Sequence, residues 1–452
     1  MASLPLVRGF GEGATFAYRD GARISVERFL RDVAGLAAVL PARPYLLNLC
    51  SDRYRFAVGF AAALLREQIN LLPPNETPDL LGRLASQYPG AYCLSDRATA
   101  PTPLETIHYP ETSASDEAAP PVPHLPETQV AAIVFTSGST GQPMPYPKTW
   151  GSLVRVALAE IEALGLAARP GLTVLGTVPP QHVFGLEATV LAVLQGGFVL
   201  HAGRPFYPGD IRAELAALPR PRCLVTSPVH LRVLLADPDE VPPADFLLCA
   251  TAPLSPQLAA EAEARFAAPL HEIYGCTEAG GIASRRTTHT SEWRAMREVS
   301  LRADADGTWV KGGHVEIEVL LADVIELRSH GFELLGRTAD LVNIAGKRTS
   351  LAHLNYHLNS IEGVRDGAFV VRGEDGAHVT RLMAYAVAPG HTAKSLLKAL
   401  RERIDTAFLP RPLRMVDALP RNATGKLPRQ ALDELTSPGP GTAEQRARRF
   451  SR

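Results

Sequence analysis

Short apolar runs alternate with helical patterns along most of the chain. The runs are four to six residues long, and they lie at 45–49, 69–72, 130–135, 173–178, 198–201, 223–226, 246–249 and 270–274. Between them, apolar residues recur at helical spacing at 150–166, 186–194 and 256–266. This alternation predicts an α/β fold with mostly parallel sheets flanked by helices.

The pattern changes near residue 336, where a smaller unit begins. That unit has a helix at 351–361, strands at 367–371 and 382–387, a helix at 393–406 and a strand at 413–417. We therefore predict a large N-terminal body, 1–336, and a small, mobile α+β C-terminal domain, 337–436. Residues 437–452, rich in Pro, Gly and Arg, are predicted to be disordered. Residues 100–128, rich in Pro, Ser, Thr and Glu, are predicted to form a long surface connection.

Composition and charge indicate a soluble protein of more than one domain. The chain has 452 residues, 46% of them hydrophobic, and a net charge of −1, which implies no nucleic-acid partner. From residue 338 onward the chain has 18 Lys and Arg and 11 Asp and Glu. This excess of positive charge suits either an anionic partner or a solvated charged surface. The five scattered cysteines form no C-x-x-C pair, which argues against a disulfide framework and a zinc site. The absence of a signal pattern and of membrane-length apolar runs favours a cytoplasmic protein with no membrane span.

A loop of hydroxyls and glycines follows the apolar run at 130–135. Its residues are Thr136, Ser137, Gly138, Ser139, Thr140 and Gly141, followed by Gln142 and Pro143. Glycines let backbone N–H groups turn toward an anion, and hydroxyls add further donors. The Walker spacing is absent, and such a run is also common in ordinary turns. The loop is therefore a candidate phosphate site that needs support from the rest of the chain.

Six further motifs supply that support. In order they are 180–185 (PQHVFG), 250–254 (ATAPL), 274–278 (YGCTE), Asp323 in LAD, 336–348 (GRTAD to IAGKR) and 420–427 (PRNATGKL). Together with the loop they resemble the AMP-forming acyl-adenylating superfamily, which includes acyl-CoA and aryl-CoA synthetases, luciferases and peptide-synthetase adenylation domains. The resemblance runs from about 130 to 429, with the motifs in family order. It implies ATP and Mg²⁺ as cofactors.

The resemblance also implies a site that brings a carboxylate against the α-phosphate of ATP. Because these two anions repel, catalysis is mainly charge neutralisation and alignment. The implied nucleotide-binding residues are Thr136, Ser137, Gly138, Ser139, Thr140 and Gly141 for the β- and γ-phosphates, Ala252 and Pro253 for the adenine floor, Tyr274 for stacking, Thr277 for the α-phosphate, and Asp323 with Arg337 for the ribose. Glu278 resembles the family's magnesium ligand, a hard oxygen donor for a hard cation.

Two further residues resemble catalytic groups of the family. Lys426 stands in a Pro-Arg-x-x-x-Gly-Lys loop, and its long stem could bridge the incoming carboxylate and the α-phosphate. His182 resembles the family's carboxylate-pocket residue, although a buried structural histidine is the alternative. The implied substrate pocket draws on His182, Phe184, Thr251, Gly280 and Gly281. Small residues after Glu278 leave room for the acid.

The chain departs from the family pattern in two places. Met144 stands where the loop lysine is expected, and the nearest lysine, Lys148, lies four residues later. At the hinge, Ala339 replaces the usual acid or lysine, so Asp340 is the predicted pivot. The loop is therefore expected to hold phosphate through its backbone and hydroxyls more than through charge.

The resemblance predicts a two-step ligase. A carboxylic acid and ATP give an acyl-adenylate and pyrophosphate; the C-terminal domain then rotates, and a thiol attacks the adenylate. Similarity to a compact subgroup linked with polyene pigment pathways favours an aromatic acid, such as a hydroxybenzoate, transferred to the phosphopantetheine of an acyl carrier protein. The alternatives are an aryl- or fatty-acyl-CoA ligase, an adenylating enzyme without thiol transfer, and a non-catalytic nucleotide-binding regulator.

Overall fold

The chain divides into two units, Met1–Leu334 and Leu335–Arg452. The structure is a computed structural model, and it describes residues 2–98, 103–110, 118–137, 143–304, 307–337, 341–344, 347–372 and 381–421. The domain boundary predicted from the sequence, after residue 336, lies two residues beyond the division between the units. The predicted tail, 437–452, lies outside the described residues.

Strands and helices alternate through the first unit, with a set of short antiparallel strands at its end. Its strands are β1 (Ser3–Pro5), β2 (Thr15–Arg19), β3 (Ala22–Ser25), β4 (Tyr45–Asn48), β5 (Ile69–Leu72), β6 (Tyr92–Ser95), β7 (Thr106–His108), β8 (His124–Pro126), β9 (Val130–Ser137), β10 (Pro143–Thr149), β11 (Thr173–Gly176), β12 (Val199–His201), β13 (Arg222–Thr226), β14 (Phe246–Cys249), β15 (Leu270–Cys276), β16 (Gly280–Arg285), β17 (Arg294–Ala295), β18 (Ser300–Asp304), β19 (Gly307–Gly312), β20 (Val315–Leu321), β21 (Asp323–Leu327) and β22 (Phe332–Arg337), the last of which crosses the division. Its helices are α1 (Val26–Val39), α2 (Arg53–Leu65), α3 (Pro78–Gln87), α4 (Trp150–Ala163), α5 (Val183–Gly185), α6 (Ala192–Gly196), α7 (Pro208–Ala217), α8 (Pro228–Ala236) and α9 (Pro256–Phe266).

Two large sheets organise this unit. One has the strand order β10-β9-β5-β4-β6-β7, and only the edge strand β10 runs antiparallel to its neighbour. The other has the order β17-β16-β15-β14-β13-β11-β12-β2-β3, and its strands from β15 to β2 are parallel. Helices connect the parallel strands. The predicted α/β class, with mostly parallel sheets flanked by helices, is confirmed.

Helix α2 lies between the two sheets. It packs against β4 and β5 of the first sheet and β12 of the second. Phe56 and Phe60 are fully buried on it, and nearly all of its other side chains are buried as well. A helix enclosed in this way is apolar on every side, which explains why its sequence lacks a polar face.

Polar residues at strand ends fix where the following helices begin. Asp52, Thr149, Ser227 and Ser255 each accept a hydrogen bond from a backbone N–H in the first turn of the next helix. Each cap satisfies an N–H that has no partner inside the helix. At these four places, the capping side chain thus fixes the residue at which the next helix begins.

The second unit has its own core. Its elements are β23 (Leu341–Ile344), β24 (Lys347–Ser350), α10 (Leu351–Asn359), β25 (Asp366–Arg372), β26 (Arg381–Val387), α11 (Ala393–Arg401) and β27 (Leu413–Met415). The apolar faces of α10 and α11, which include Leu354, Leu358, Leu396 and Leu400, pack with Phe369 of β25. The two helices and three of the strands coincide with those predicted, within a few residues at their ends.

Several strands of the first unit were not predicted, and β7, β8 and β10 are three of them. The segment 100–128 contains the three-residue strands β7 and β8, which are too short to give a periodic signal. Strand β10 was not predicted, because Pro143, Pro145 and Pro147 alternate along it. At an edge, prolines at every second position remove only N–H groups that face away from the neighbouring strand, so the ladder with β9 is intact. In the part of the chain that the structure describes, no helix is long and apolar enough to cross a membrane.

Candidate active site

Several of the predicted site segments lie at one edge of the nine-stranded sheet. The neighbouring strands β15, β14, β13 and β11 are parallel, so their carboxyl ends meet there. The segments 177–185, 250–253 and 277–278 follow β11, β14 and β15. The carboxyl edge of a parallel sheet is where α/β proteins place their ligand sites. The fold therefore brings together motifs that are almost a hundred residues apart.

The predicted phosphate loop begins with the last two residues of β9. Ser137 at the end of β9 is paired with Pro143 at the start of β10. Thr136 and Ser137 belong to β9, and their side chains lie outside the described part. Gly138, Ser139, Thr140 and Gly141 also lie outside the described residues, so their predicted phosphate contacts stay a prediction.

Lys148 is tied to the strand turn that carries Glu278. Its Nζ donates to the backbone carbonyl oxygen of Glu278 at 2.5 Å. Burial lowers the pKa of Lys148, while the charge of Glu187 opposes this shift. Met144 and Lys148 share one face of β10 but lie about 13 Å apart, at roughly 3.3 Å per residue. In this structure the lysine contacts the Glu278 backbone.

Glu278 lies in the turn between β15 and β16. Its carboxylate hydrogen-bonds the thiol of Cys276, and burial together with this neighbour raises the pKa of Cys276 to about 12. A carboxylate oxygen is a suitable ligand for Mg²⁺, which commonly binds one or two carboxylates together with substrate phosphates. Among the described residues, no group of three or more His, Cys, Asp and Glu is arranged to hold a metal by itself. The donor set thus fits a cation shared between one carboxylate and a nucleotide.

Two predicted nucleotide residues are in contact. The Tyr274 hydroxyl donates to Asp323 Oδ2 at 3.0 Å, although the residues are 49 positions apart. The Tyr274 ring packs against Trp293 and Phe332, with centroids 5.7 and 5.8 Å away. Asp323 is the first residue of β21, and Arg337, whose side chain is outside the described part, ends β22. The residues predicted to contact adenine (Tyr274) and the ribose (Asp323) are therefore joined by a hydrogen bond.

Thr251 has a strained backbone at the end of β14. Its φ is +80°, which is rare for a β-branched residue. Its hydroxyl is buried and has no hydrogen-bond partner among the described residues. Strain of this kind concentrates at functional sites. Ala252 and Pro253, the predicted adenine floor, follow directly, so the observation agrees with a binding role for this loop.

His182 precedes a continuous helical segment that contains Phe184. The segment consists of α5, a π-helix (Leu186–Leu191) and α6, and single π-helical turns are frequent at functional sites. Gly185 is required there, since a Cβ would lie 2.0 Å from the Pro179 carbonyl oxygen. Phe184 is buried, and His182 is half-buried. The close turn at Gly185 thus sets where both predicted pocket residues lie.

The predicted pocket glycines contact buried carboxyl groups. A Cβ on Gly280 would lie 2.6 Å from Glu187 Oε1, and one on Gly281 would lie 2.5 Å from Glu160 Oε1. The interpretation that small residues after Glu278 leave room for the acid is therefore wrong at these Cβ positions. The space is occupied by side chains from α4 and the π-helix.

Glu160 and Glu187 form a buried acidic pair that the sequence did not single out. Protonated Glu160 donates a hydrogen bond to the Glu187 carboxylate, and the Gly281 N–H donates to Glu187 Oε2 at 3.2 Å. Burial raises both pKa values, that of Glu187 to about 7, with Lys148 opposing the rise. His314 is nearby and buried, and its pKa falls to about 4 through burial and the charge of Lys148. The sequence offers no signal that singles out this pair: Glu187 stands alone in an apolar run, but Glu160 shares its helix with Arg155 and Glu162.

Two other groups were missed. Arg53 is fully buried, and its guanidinium donates to Thr189 Oγ1 and to the carbonyls of Gly176 and Val178 at 2.7–2.9 Å. It thereby fixes the end of β11 and the helical segment after His182. At the end of β13, His230 Nδ1 lies 3.0 Å from the Thr177 hydroxyl and 3.1 Å from that of Ser227.

In the second unit, the start of the catalytic-lysine loop is anchored. Arg421 forms a bidentate ion pair with Asp366, at 2.7 and 2.8 Å. Such paired bonds orient the guanidinium as well as attract it. Lys426 and the predicted hinge residue Asp340 lie outside the described residues, and their roles stay predictions.

Comparison with known proteins identifies the family. The family model described as AMP-binding enzyme matches residues 81–315, just over half of the chain, and the chain belongs to this family. The predicted resemblance is confirmed, and the predicted cofactors, ATP and Mg²⁺, are those of the family. Among curated proteins, a 4-coumarate–CoA ligase of Rhodobacter capsulatus is 29% identical over 304 residues, which is 66% of this chain and 75% of the relative.

Other comparisons agree with the fold. A 2-succinylbenzoate–CoA ligase of Staphylococcus epidermidis is 21% identical over 333 residues, covering 67% of this chain and 69% of that protein. Among solved structures, ATP-bound MatB from Rhodopseudomonas palustris has a TM-score of 0.78 at 19% identity and covers 94% of this chain and 96% of its own. O-succinylbenzoate Coenzyme A synthetase (MenE) from Bacillus subtilis, in complex with AMP, has a TM-score of 0.76 at 19% identity, with 93% and 95% covered. At such identities these structures support the fold alone.

Proposed function

We propose that the chain is an AMP-forming ligase that converts an aromatic carboxylic acid into its coenzyme A thioester. In the first step a carboxylate oxygen attacks the α-phosphorus of ATP and pyrophosphate leaves. In the second step the thiol sulfur attacks the acyl carbon, AMP leaves, and the thiol proton passes to solvent. The observation that carries the proposal is the Tyr274–Asp323 pair at the same sheet edge as the Glu278 turn.

Each group at this edge has a definite task under the proposal. Asp323, oriented by the Tyr274 hydroxyl, accepts hydrogen bonds from the ribose hydroxyls, and the Tyr274 ring stacks near adenine. Glu278 would hold Mg²⁺, and the cation would supply positive charge that offsets the charge of the phosphates. The hydroxyl and glycine loop at 136–141 binds the β- and γ-phosphates, and Thr277 contacts the α-phosphate.

The acid lies near the His182 helical segment in this account. His182 and Phe184 form its side walls and Thr251 closes one end. Gly280 and Gly281 contribute only backbone, because the carboxyl groups of Glu187 and Glu160 occupy their Cβ positions. Lys426 bridges the carboxylate and the α-phosphate in the first step and leaves when the C-terminal domain rotates about Asp340 for the second. Alignment and charge neutralisation together supply the catalysis.

The names of two relatives support an aromatic acid and coenzyme A. Both the 4-coumarate and the 2-succinylbenzoate ligases are named for an aromatic acid and for coenzyme A as the thiol. The resemblance to the compact subgroup favoured a hydroxybenzoate and an acyl carrier protein. Both thiols end in phosphopantetheine, so the same second step applies to either. We favour coenzyme A because these two relatives are both named for it.

A panel of acids tests the proposal. Purified protein is incubated with ATP, Mg²⁺ and one acid (4-hydroxybenzoate, benzoate, 4-coumarate or dodecanoate), once with coenzyme A and once with phosphopantetheinylated carrier protein. We expect an aromatic acyl-CoA, read as the thioester mass. Thioester on the carrier alone would contradict the choice of thiol, and a product from dodecanoate alone would contradict the acid class. Adenylate without any thioester would refute the second step.

A further inference from the structure

The turn that carries Glu278 is held on both sides by side chains from other elements. It spans residues 277–279 between β15 and β16. On one side, Lys148 Nζ donates to the Glu278 carbonyl oxygen at 2.5 Å. On the other, Glu187 Oε2 accepts the Gly281 N–H at 3.2 Å. The two contacts enclose the turn at residues three positions apart.

The two side chains that hold the turn are a base and an acid whose charges act on each other. The charge of Glu187 raises the pKa of Lys148, and that of Lys148 lowers the pKa of Glu187, in each case against the effect of burial. Lys148 belongs to β10 and Glu187 to the π-helix, so the β15–β16 turn is held from two separate elements. Glu187 also accepts a hydrogen bond from protonated Glu160 of α4. A turn held by polar side chains from separate elements has few alternative positions.

Glycines make this arrangement possible. Gly280 has a φ of +83°, and both Gly280 and Gly281 lie where a Cβ would collide with a carboxyl group. Only a residue without a side chain lets the Glu187 and Glu160 carboxyls reach the backbone of the turn. Gly280 and Gly281 therefore leave space for the carboxyl groups of Glu187 and Glu160 beside the turn that carries Glu278.

We propose that Lys148, together with Glu187 at the other end of the turn, is a positioning residue for Glu278. The carbonyl that Lys148 binds belongs to the same residue as the magnesium-binding carboxylate, so fixing the carbonyl limits the directions in which that carboxylate points. This inference rests on the proposed role of Glu278 as the metal ligand. The lysine that is missing after Pro143 is thus replaced by one that acts through the Glu278 backbone.

The test uses cation binding as well as activity. Lys148→Met removes the donor and the charge at similar length, Lys148→Arg retains both, and Lys311→Met, at an exposed lysine of the same unit, is the matched control. Mn²⁺ bound to each protein in the presence of a non-hydrolysable ATP analogue is measured by electron paramagnetic resonance. Loss of a group that orients a metal ligand typically lowers affinity about 10- to 100-fold. We expect a loss of at least about tenfold for Lys148→Met, and less than about threefold for Lys148→Arg and Lys311→Met.

Activity then separates this proposal from the function on which it rests. The Mg²⁺ concentration for half-maximal ATP–pyrophosphate exchange should rise by the same factor in Lys148→Met. Wild-type protein without exchange would refute the proposed function. Active wild-type protein with unchanged Mn²⁺ and Mg²⁺ curves in Lys148→Met would refute only the positioning role. If Lys148→Met does not fold, Glu187→Gln is measured in the same way, and unchanged curves there would overturn the proposal.

Discussion

Asp323→Ala should weaken ATP binding about 100-fold without affecting acid binding. Tyr274 donates to one oxygen of the carboxylate, and under the proposal the same carboxylate accepts one hydrogen bond from each of the two ribose hydroxyls. A hydrogen bond to a charged acceptor contributes about 1.5–3 kcal/mol, and the lower value applies because Asp323 is half-buried. Two such bonds give about 3 kcal/mol, which is a factor of roughly 100. The assay is the KM for ATP in acid-dependent pyrophosphate exchange.

Removing the ribose hydroxyls from the ligand provides the decisive control. Wild-type protein should bind 2′,3′-dideoxy-ATP about 100-fold more weakly than ATP, whereas Asp323→Ala should bind the two nucleotides nearly equally. Tyr274→Phe keeps the ring but loses the hydroxyl, and it should weaken ATP binding by about 1 kcal/mol, or roughly fivefold in affinity. A folded Asp323→Ala protein with unchanged affinity for ATP would remove this residue from the ribose site.

Two further substitutions test the support of the site and the two-step chemistry. Arg53→Met should lower the free energy of unfolding, measured by urea titration, by about 3–5 kcal/mol, because three buried acceptors lose their donor. The control is Arg297→Met, at an exposed arginine. An equal loss of unfolding free energy in both variants would contradict the prediction. The Lys426→Ala protein should form no adenylate, but it should still form thioester from supplied acyl-adenylate, with both products measured by mass spectrometry. Equal loss of both half-reactions would contradict the proposal that the C-terminal domain rotates between the two steps.

The fold could be predicted from the sequence where strands are buried on both faces. Runs such as 223–226 and 246–249 are continuously apolar, because helices cover both sides of the parallel sheet. The strands of the first unit after residue 280 gave no such runs. They belong largely to small antiparallel sheets with exposed faces, for example β20, whose Ile317 is 80% exposed. A strand with exposed apolar residues gives a sequence pattern that does not differ from that of an irregular segment.

Candidate site residues could be predicted as motifs, but their contacts could not. Tyr274 and Asp323 were each named from their motifs, while the hydrogen bond that joins them depends on how β21 lies beside β15. Lys148 was recognised only as a displaced lysine. Its contact with Glu278 spans 130 residues, which no local pattern encodes.

Buried polar groups were the largest omission. Glu160, Glu187 and Arg53 lie in helices whose apolar residues dominate the pattern, and nothing in the sequence distinguishes Glu160 and Arg53 from the neighbouring charged residues Glu162 and Arg55. Their significance comes from burial, because a carboxylate or guanidinium removed from water needs partners that the fold must supply. Such partners are visible only once the elements are packed.

The central claim is that this chain activates a carboxylic acid with ATP at the edge formed by β11, β14 and β15. Acid-dependent exchange of labelled pyrophosphate into ATP measures that step directly, since it requires reversible adenylate formation and no thiol. We predict exchange that depends on Mg²⁺ and on an aromatic acid such as 4-hydroxybenzoate, and that falls sharply in Glu278→Gln. Absence of exchange with every aromatic and fatty acid of the panel, from folded protein that binds ATP, would contradict the account.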